Sequence, residues 1–146
     1  MWMMIIPKIS VLGFLYIFWI THVSILSSHS LAHYLLYFVG ITSLIIGALG
    51  LNSQWRIKRF LAYSSISHVG FILLGLYCNE YTAFLNYSFI YLITTINVFI
   101  ILIIFSSYKG KEISYITDLR GLFRLNPYLS IAFTLAIFSL AGIPPL

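Results

Sequence analysis

The chain has 146 residues, of which 61% are apolar and 8% are charged, and its mean hydropathy is +1.02. Soluble domains typically carry about 25% charged residues, so this chain has too few polar side chains to coat a water-soluble core. The composition excludes a cytosolic enzyme, a nucleic-acid-binding protein and an intrinsically disordered tail, and it predicts a membrane protein.

Five apolar stretches are long enough to cross a bilayer as helices, which takes roughly 20 residues each. We therefore predict an all-α transmembrane fold, a five-helix polytopic bundle that forms a single membrane domain over residues 1–146. A closed β-barrel would need alternating strands of about 10 residues, and the sequence has no such alternation. The predicted spans are about 5–26, 31–51, 60–77, 82–107 and 126–143.

Local signals mark the ends and the contacts of these helices. Asn126 followed by Pro127 predicts an N-cap and a first helical residue. The segment with Gly142, Pro144 and Pro145 predicts an abrupt helix break, because proline lacks the backbone donor that a helix needs. Small residues four positions apart allow close helix packing, and two such pairs are present: Ser43 with Gly47, and Ala132 with Ala136.

The basic loop residues orient the bundle in the membrane. Loops 52–59 and 108–125 hold all the Lys and Arg residues outside the first span, and the other two connections hold none. Alternate loops lie on the same side, so the positive-inside rule places both loops and the N-terminus on the cytoplasm-equivalent face. The basic residues are Arg56, Lys58, Arg59, Lys109, Lys111, Arg120 and Arg124.

Lys8 is the one cation inside a predicted span, where a lysine costs roughly 2.5–3.5 kcal/mol. In a functional interpretation, Lys8 carries a proton in the membrane interior. In a structural interpretation, its long side chain reaches the near interface, because Lys8 lies seven residues from the start of the sequence. Both interpretations stay open.

His68 lies inside the third span and shares a helix face with serines. Ser64 lies four residues before His68 and three residues before Ser67. Both are spacings of neighbours on a helix surface. Hydroxyls at this spacing can hold water, and a histidine exchanges protons with water near neutral pH. In the alternative interpretation, neighbouring helices satisfy the histidine and the serines bond to their own backbone.

The other polar residues predict no catalytic, cofactor-binding or metal-binding site. The single cysteine, Cys78, cannot form an internal disulfide or a thiolate-held metal cluster. Three histidines lack the spacing of metal ligands and are interpreted as solvated at the interface: His22, His29 and His33. Five residues of the fourth span are interpreted as interhelical hydrogen-bonding groups, with a hydrated path as the alternative: Asn86, Ser88, Thr94, Thr95 and Asn97.

Two blocks of sequence resemble the antiporter-like membrane subunits of respiratory complex I. The first, Arg56-Ile-Lys-Arg-Phe-Leu-Ala-Tyr-Ser-Ser-Ile-Ser-His68-Val-Gly70, matches the family motif K-R-x-L-A-Y-S-S-I-S-H-x-G. The second joins Asp118-Leu-Arg-Gly-Leu-Phe123 and Asn126-Pro127 to Ser139-Leu-Ala-Gly-Ile-Pro-Pro145. Their order and separation fit the family. The serine–histidine form, where sister subunits tend to have glutamine, indicates one subunit in particular.

The resemblance implies a place in a fourteen-helix bundle of two inverted repeats, each with one helix broken in mid-membrane. The chain resembles helices eight to twelve of that bundle and ends at the break in helix twelve. Lys8 and Gly13 resemble the start of helix eight, whose lysine belongs to the family's central hydrophilic axis, although Pro7 departs from the pattern. The family's helix-twelve lysine would follow Leu146, so we do not expect a complete proton path in this polypeptide.

The resemblance also implies a function, partners and a location. It implies a non-redox subunit in the proton-translocating arm of NADH:ubiquinone oxidoreductase, contributing to a buried proton path coupled to quinone reduction. NADH, FMN, iron–sulfur clusters and ubiquinone are expected in other subunits, and none in this chain. The expected partners are other complex I membrane subunits, polypeptides that supply the missing helices of the same subunit, and lipids, but not nucleic acid. The expected location is the mitochondrial inner membrane, with the basic loops facing the matrix.

Two other functions stay open at this point. The chain is alternatively a subunit of a multi-subunit cation/proton antiporter, or a structural subunit that completes the bundle without relaying protons. Its extent also has two interpretations, a piece of a split subunit, which we expect, or a truncated remnant.

Overall fold

The computed structural model describes residues 2–23 and 31–141, apart from the side chains of 2–7, 22, 23, 32 and 125. The predicted break at Gly142, Pro144 and Pro145 lies outside the described residues, as do His29 and the side chain of His22.

The described residues form helices, as the all-α prediction expects. Four long helices come first, and each satisfies its own backbone hydrogen bonds, as an apolar surrounding requires. They are α1 (Trp2–Val23), α2 (Leu31–Asn52), α3 (Ile57–Tyr77) and α4 (Tyr81–Lys109). A 3-10 helix (Ile116–Leu119), the single-turn α5 (Leu122–Leu125) and α6 (Pro127–Leu140) follow.

Three of the described helices are long and apolar enough to cross a membrane: α2 from His33 onward, α3 and α4. Two further apolar stretches, Lys8–Thr21 and Pro127–Leu140, are shorter within the described residues. Helix α4 has 29 residues and is therefore about 43 Å long, which exceeds the roughly 30 Å of hydrocarbon in a bilayer. The chain is thus a multi-pass membrane protein, and the count of five spans remains a prediction.

The contacts divide the chain into two compact units. Unit 1 comprises Met1–Ser53 and Ala62–Phe89, which hold α1, α2, most of α3 and the start of α4. Unit 2 comprises Gln54–Leu61 and Ile90–Leu146, which hold the first turn of α3, the rest of α4 and the helices after it.

In unit 1, α2 packs on α3 through small residues. A Cβ atom added at Gly47 would lie 2.7 Å from the Ser67 backbone nitrogen, and one at Gly70 would lie 2.5 Å from the Ser43 hydroxyl oxygen. Any side chain larger than hydrogen would push these helices apart, which is why small residues mark close helix contacts in membranes. The predicted packing role of Ser43 and Gly47 is therefore confirmed.

In unit 2, an apolar core forms between the start of α3, the second half of α4 and α6. Helix α6 contacts it through a stripe made of Leu129, Phe133, Ala136 and Leu140. Of the predicted packing pair, Ala136 is buried, whereas Ala132 is exposed because it lies beside this stripe. The buried members of the core are Ile57, Val98, Ile101, Leu102, Phe105, Ile113, Leu122 and Ala136.

Asp118 fixes the connection between α4 and α5. Its Oδ2 accepts hydrogen bonds from the backbone N–H groups of Tyr115 at 2.9 Å and Ser114 at 3.2 Å. Lys109 Nζ donates to the carbonyl of Asp118 at 2.7 Å. These contacts favour the ionised carboxylate and hold the pKa of Asp118 below its ordinary value. The hydrogen bond from the Tyr115 N–H contributes most, and the Ser114 N–H and the Lys109 charge add to it.

Two further residues of the second sequence block set the chain path into α6. Gly121 precedes α5 with a φ of 87°, in the left-handed region that glycine enters without steric penalty. Asn126 caps α6, since its side-chain oxygen accepts the N–H of Leu129 at 3.4 Å, and Pro127 is the first helical residue. The predicted cap is confirmed.

Candidate functional site

The predicted proton-path residues lie in unit 1, and His68 is at their centre. His68 is half-buried in the middle of α3, and its Nδ1 lies 2.8 Å from the hydroxyl oxygen of Tyr87 on α4. The histidine tautomer decides which of the two atoms donates the proton of this hydrogen bond. Either way the bond connects a titratable ring to a second group that can donate and accept a proton.

Lys8 on α1 is half-buried, and its charge acts on His68. Charges in a low-dielectric interior interact far more strongly than charges in water, where salt also screens them. A proton on one of these two groups therefore changes the free energy of placing a proton on the other. Both interpretations of Lys8, proton-carrying and interfacial, stay predictions.

The serines around His68 make local hydrogen bonds. Ser67 donates its hydroxyl to the Ser64 carbonyl at 2.8 Å, and Ser65 donates to the Ala62 carbonyl at 2.7 Å. These are the bonds that the structural interpretation of the serines expects. A hydroxyl that donates to the backbone keeps its acceptor lone pairs, so Ser67 retains the ability to accept a hydrogen bond from water.

Tyr87 is the candidate residue that the sequence analysis did not identify. It lies nineteen residues after His68, and its ring also packs near Phe71, with the ring centroids 6.2 Å apart. A tyrosine in an apolar run is ordinarily a packing residue, so its type gives no signal. Only the packing of α4 beside α3 in unit 1 brings its hydroxyl to the histidine.

Among the described residues, the five polar side chains of α4 predicted to bond between helices form no such bond. The hydroxyls of Ser88, Thr94 and Thr95 donate to carbonyls of α4 itself, at 2.7 to 3.0 Å. Asn86 and Asn97 are exposed. The reason is geometric, since a short hydroxyl side chain reaches the carbonyl three or four residues earlier before it reaches another helix.

A second cluster in unit 1 surrounds His33 with aromatic rings. The His33 ring stacks on Trp19 with centroids 5.9 Å apart and lies 4.3 Å from the ring of Tyr77. Its Nδ1 and the Nε1 of Trp19 are buried and lack a hydrogen-bond partner among the described residues. The predicted solvation of His33 is therefore wrong for this nitrogen, because the neighbouring rings cover it.

Within the described ranges, no group of three or more His, Cys, Asp or Glu side chains is arranged to hold a metal ion. Cys78 is exposed and has a free thiol.

Helices that carry titratable side chains inside apolar segments are typical of membrane proteins that move ions or protons. The comparison with known families agrees with this class. Residues 1–146 match the family of transmembrane domains from NADH:quinone oxidoreductases and Mrp antiporters, and the chain belongs to this family.

Individual relatives narrow the similarity to one kind of subunit. The chain is 41% identical over 155 residues to NADH-ubiquinone oxidoreductase chain 2 of Rhizopus oryzae, in an alignment that covers 99% of this chain and 29% of that protein. It is 44% identical over 113 residues to chain 2 of Oenothera berteroana, covering 75% and 22%. It is 41% identical over 112 residues to NADH-quinone oxidoreductase subunit N of Sphingopyxis alaskensis, covering 75% and 24%.

These relatives confirm the resemblance found in the two sequence blocks and the subunit that the serine–histidine form indicated. The chain spans less than a third of the length of each of these relatives.

Proposed function

We propose that the chain contributes to proton translocation in the membrane arm of an NADH:quinone oxidoreductase, within the subunit called chain 2 or subunit N in its relatives. The observation that carries the proposal is the 2.8 Å hydrogen bond between His68 Nδ1 and the Tyr87 hydroxyl, which pairs two proton-exchanging groups inside apolar helices. The half-buried Lys8 supports it, because its charge acts on His68. Lys8 and His68 take up and release protons, and Ser64 and Ser67 offer hydroxyl oxygens to water beside them.

In this mechanism, charge changes pass along the membrane between coupled titratable groups. Quinone reduction in other subunits alters the charge on a neighbouring buried group, and the change alters the protonation of Lys8. Lys8 in turn alters the protonation of His68, because the two groups interact. The chain itself transfers no electrons, and NADH, FMN, iron–sulfur clusters and ubiquinone belong to the other subunits.

The proposed setting is a mitochondrial inner membrane. Five spans of this chain form a single membrane domain and correspond to helices eight to twelve of a fourteen-helix bundle, with a helix break at Gly142, Pro144 and Pro145. The N-terminus and the loops 52–59 and 108–125 face the matrix, because these loops carry the basic residues. The partners are the other membrane subunits of the complex, the helices of the same subunit that this chain lacks, and lipids.

The test is the proton yield of the assembled complex with His68→Ala. We expect NADH oxidation to continue while fewer protons are moved per NADH, because the variant removes a titratable group and leaves the electron path unchanged. Lys111→Ala is the matched control, since it removes an exposed cation from loop 108–125. An unchanged proton yield in an assembled His68→Ala complex would contradict the proposal.

A cation/proton antiporter subunit is the second candidate, because the matched family includes Mrp antiporters. The two functions differ in what drives proton movement. In the first, NADH oxidation drives it and the chain co-purifies with that activity, whereas in the second a sodium gradient drives it without NADH. A purely structural role would be indicated if neutralising Lys8 and His68 changed only assembly or stability.

A further inference from the structure

A basic cleft and an apolar cavity lie next to each other in unit 2. The cleft is lined by Arg56, Lys58 and Arg59 together with Ser114 and Tyr115. The cavity has a volume of about 270 Å³ and is lined only by apolar side chains, contributed by α3, α4, the 3-10 helix and α6. The two share stretches of backbone, because Ile57 and Ile116 line the cavity and directly follow the cleft residues Arg56 and Tyr115.

The cleft has more positive charge than its neighbours neutralise. Lys58 forms an ion pair with Glu112 at 3.4 Å, with both side chains largely exposed. The Arg56 guanidinium lies over the Tyr115 ring, 5.8 Å from its centroid. Among the described residues neither Arg56 nor Arg59 has a carboxylate partner, so two guanidinium groups can bind an anion.

The position of the cleft indicates the membrane interface. It lies at the first turn of α3, a helix long enough to cross a bilayer. The positive end of the α3 dipole adds to the charge of the arginines. Trp55, directly before the cleft, is 74% exposed, and Tyr115 is 45% exposed. Exposed Trp and Tyr side chains are typical of the level at which lipid headgroups lie.

We propose that unit 2 binds one anionic phospholipid, with its phosphate in the basic cleft and one acyl chain in the apolar cavity. Guanidinium groups bind phosphate oxygens in a bidentate manner, and basic pockets at the ends of membrane helices recognise acidic headgroups. Inorganic phosphate would use the cleft alone, and a neighbouring protein helix would use the cavity alone. A phospholipid uses both, and this binding does not depend on the proposed proton path.

The first experiment compares headgroups on the unmodified protein. The purified assembly is exchanged into nanodiscs of phosphatidylglycerol or phosphatidylcholine with identical palmitoyl–oleoyl chains, and retained lipid is counted by native mass spectrometry after release. We expect phosphatidylglycerol to be retained about twenty-five-fold more tightly, a factor of roughly five for each of the two arginines near an anionic headgroup. Equal retention of the two lipids would overturn the proposal without any variant.

The second experiment assigns the binding to these residues. Arg56→Gln combined with Arg59→Gln should abolish the preference for phosphatidylglycerol, whereas Lys111→Gln, an exposed cation that does not line the cleft, should preserve it. A double variant that retains the lipid as tightly as Lys111→Gln would overturn the assignment.

The third experiment separates the sources of phosphate. If an acyl chain fills the cavity, dihexanoyl phosphatidylglycerol should bind much more weakly than the long-chain form. Millimolar inorganic phosphate should then leave the long-chain lipid in place. Equal binding of short and long chains, or displacement by inorganic phosphate, would reduce the cleft to a phosphate site and overturn the proposed lipid.

Discussion

At the level of single residues, the role proposed for His68 comes from its two neighbours. A histidine alone in an apolar helix has no group with which to exchange a proton. His68 contacts the Tyr87 hydroxyl and interacts with Lys8. A hydrogen bond in a low-dielectric interior is stronger than one in water, so the Tyr87 contact orients the ring, and either tautomer can form it.

Tyr87→Phe tests that contact. The variant keeps the ring near Phe71 and removes only the hydroxyl, so we expect a loss of stability of about 1 kcal/mol together with a lower proton yield per NADH. Tyr108→Phe is the matched control, because Tyr108 is an exposed tyrosine on the same helix with no hydrogen bond among the described residues. Equal effects of the two variants on proton yield would show that the Tyr87 hydroxyl is irrelevant to the path.

Asp118 gives a prediction about pH. Its folded pKa is below the ordinary value of about 3.9, so folding favours the ionised form. The resulting stabilisation is present above that ordinary value and is lost as the pH falls through the lowered folded pKa. We expect the amide NMR shifts of Ser114 and Tyr115, measured in micelles, to report the loss of this structure below about pH 4.

Asp118→Asn should remove that pH dependence, because it eliminates the titrating charge. Glu112→Gln is the control and should retain it, since the Glu112 ion pair with Lys58 is exposed and exposed ion pairs contribute little. A pH profile that persists in Asp118→Asn would assign the transition to another group.

Residue type and spacing predict individual roles only where the decisive partner is nearby in sequence. The Asn126 cap needs only the first turn of its own helix, and its prediction is confirmed. Tyr87 and the buried nitrogen of His33 depend on residues of other helices, and no local pattern encodes those contacts.

At the level of helices, the contact between α2 and α3 positions the candidate site. Gly47 packs against the backbone of Ser67, the residue directly before His68. Gly70, two residues after His68, packs against Ser43. The close approach therefore fixes the part of α3 that carries the histidine. A membrane interior provides little hydrophobic driving force between helices, so such close packing is a main source of their association.

Gly47→Ala should weaken this contact. The added Cβ would lie 2.7 Å from the Ser67 nitrogen, and the helices must separate to admit it. We expect a destabilisation of about 1–3 kcal/mol, as for other overpacked contacts, measured as the unfolding free energy in mixed micelles. At Gly75 the nearest atom to an added Cβ is 3.6 Å away, at Phe84, so Gly75→Ala should be neutral or stabilising by up to about 1 kcal/mol. Equal destabilisation by both variants would contradict this account of the packing.

At the level of helices, the all-α fold follows from the long apolar runs. Helices α2, α3 and α4 contain the predicted runs and extend past them, because polar residues at the interface continue the backbone hydrogen bonding. The sequence analysis did not predict the 3-10 helix or α5, because each has four residues, too few to show a helical pattern. Such short helices are not stable alone, and here Asp118 and the left-handed Gly121 determine them.

At the level of the whole molecule, the proposed topology follows from the loop charges. The single cysteine, Cys78, is exposed in the connection between α3 and α4, on the side that our topology places opposite the basic loops. A membrane-impermeant maleimide should therefore label Cys78 from the intermembrane face of oriented membranes and leave it unlabelled from the matrix face.

The control for this topology uses the same reagent. Cys78→Ser combined with Lys111→Cys moves the only thiol to loop 108–125, and it should be labelled from the matrix face. Labelling of both thiols from one face would contradict the predicted arrangement of spans between them.

The central claim is that Lys8 and His68 act as one coupled proton-carrying pair, and a double-variant cycle on proton yield tests it most directly. Protons moved per NADH are measured in vesicles for Lys8→Ala, His68→Ala and the combination. The account predicts that each single variant lowers the yield and that the double variant is no lower than the more impaired single one, because coupled groups act as a unit. Losses that add independently, or a full yield in all three variants, would contradict it.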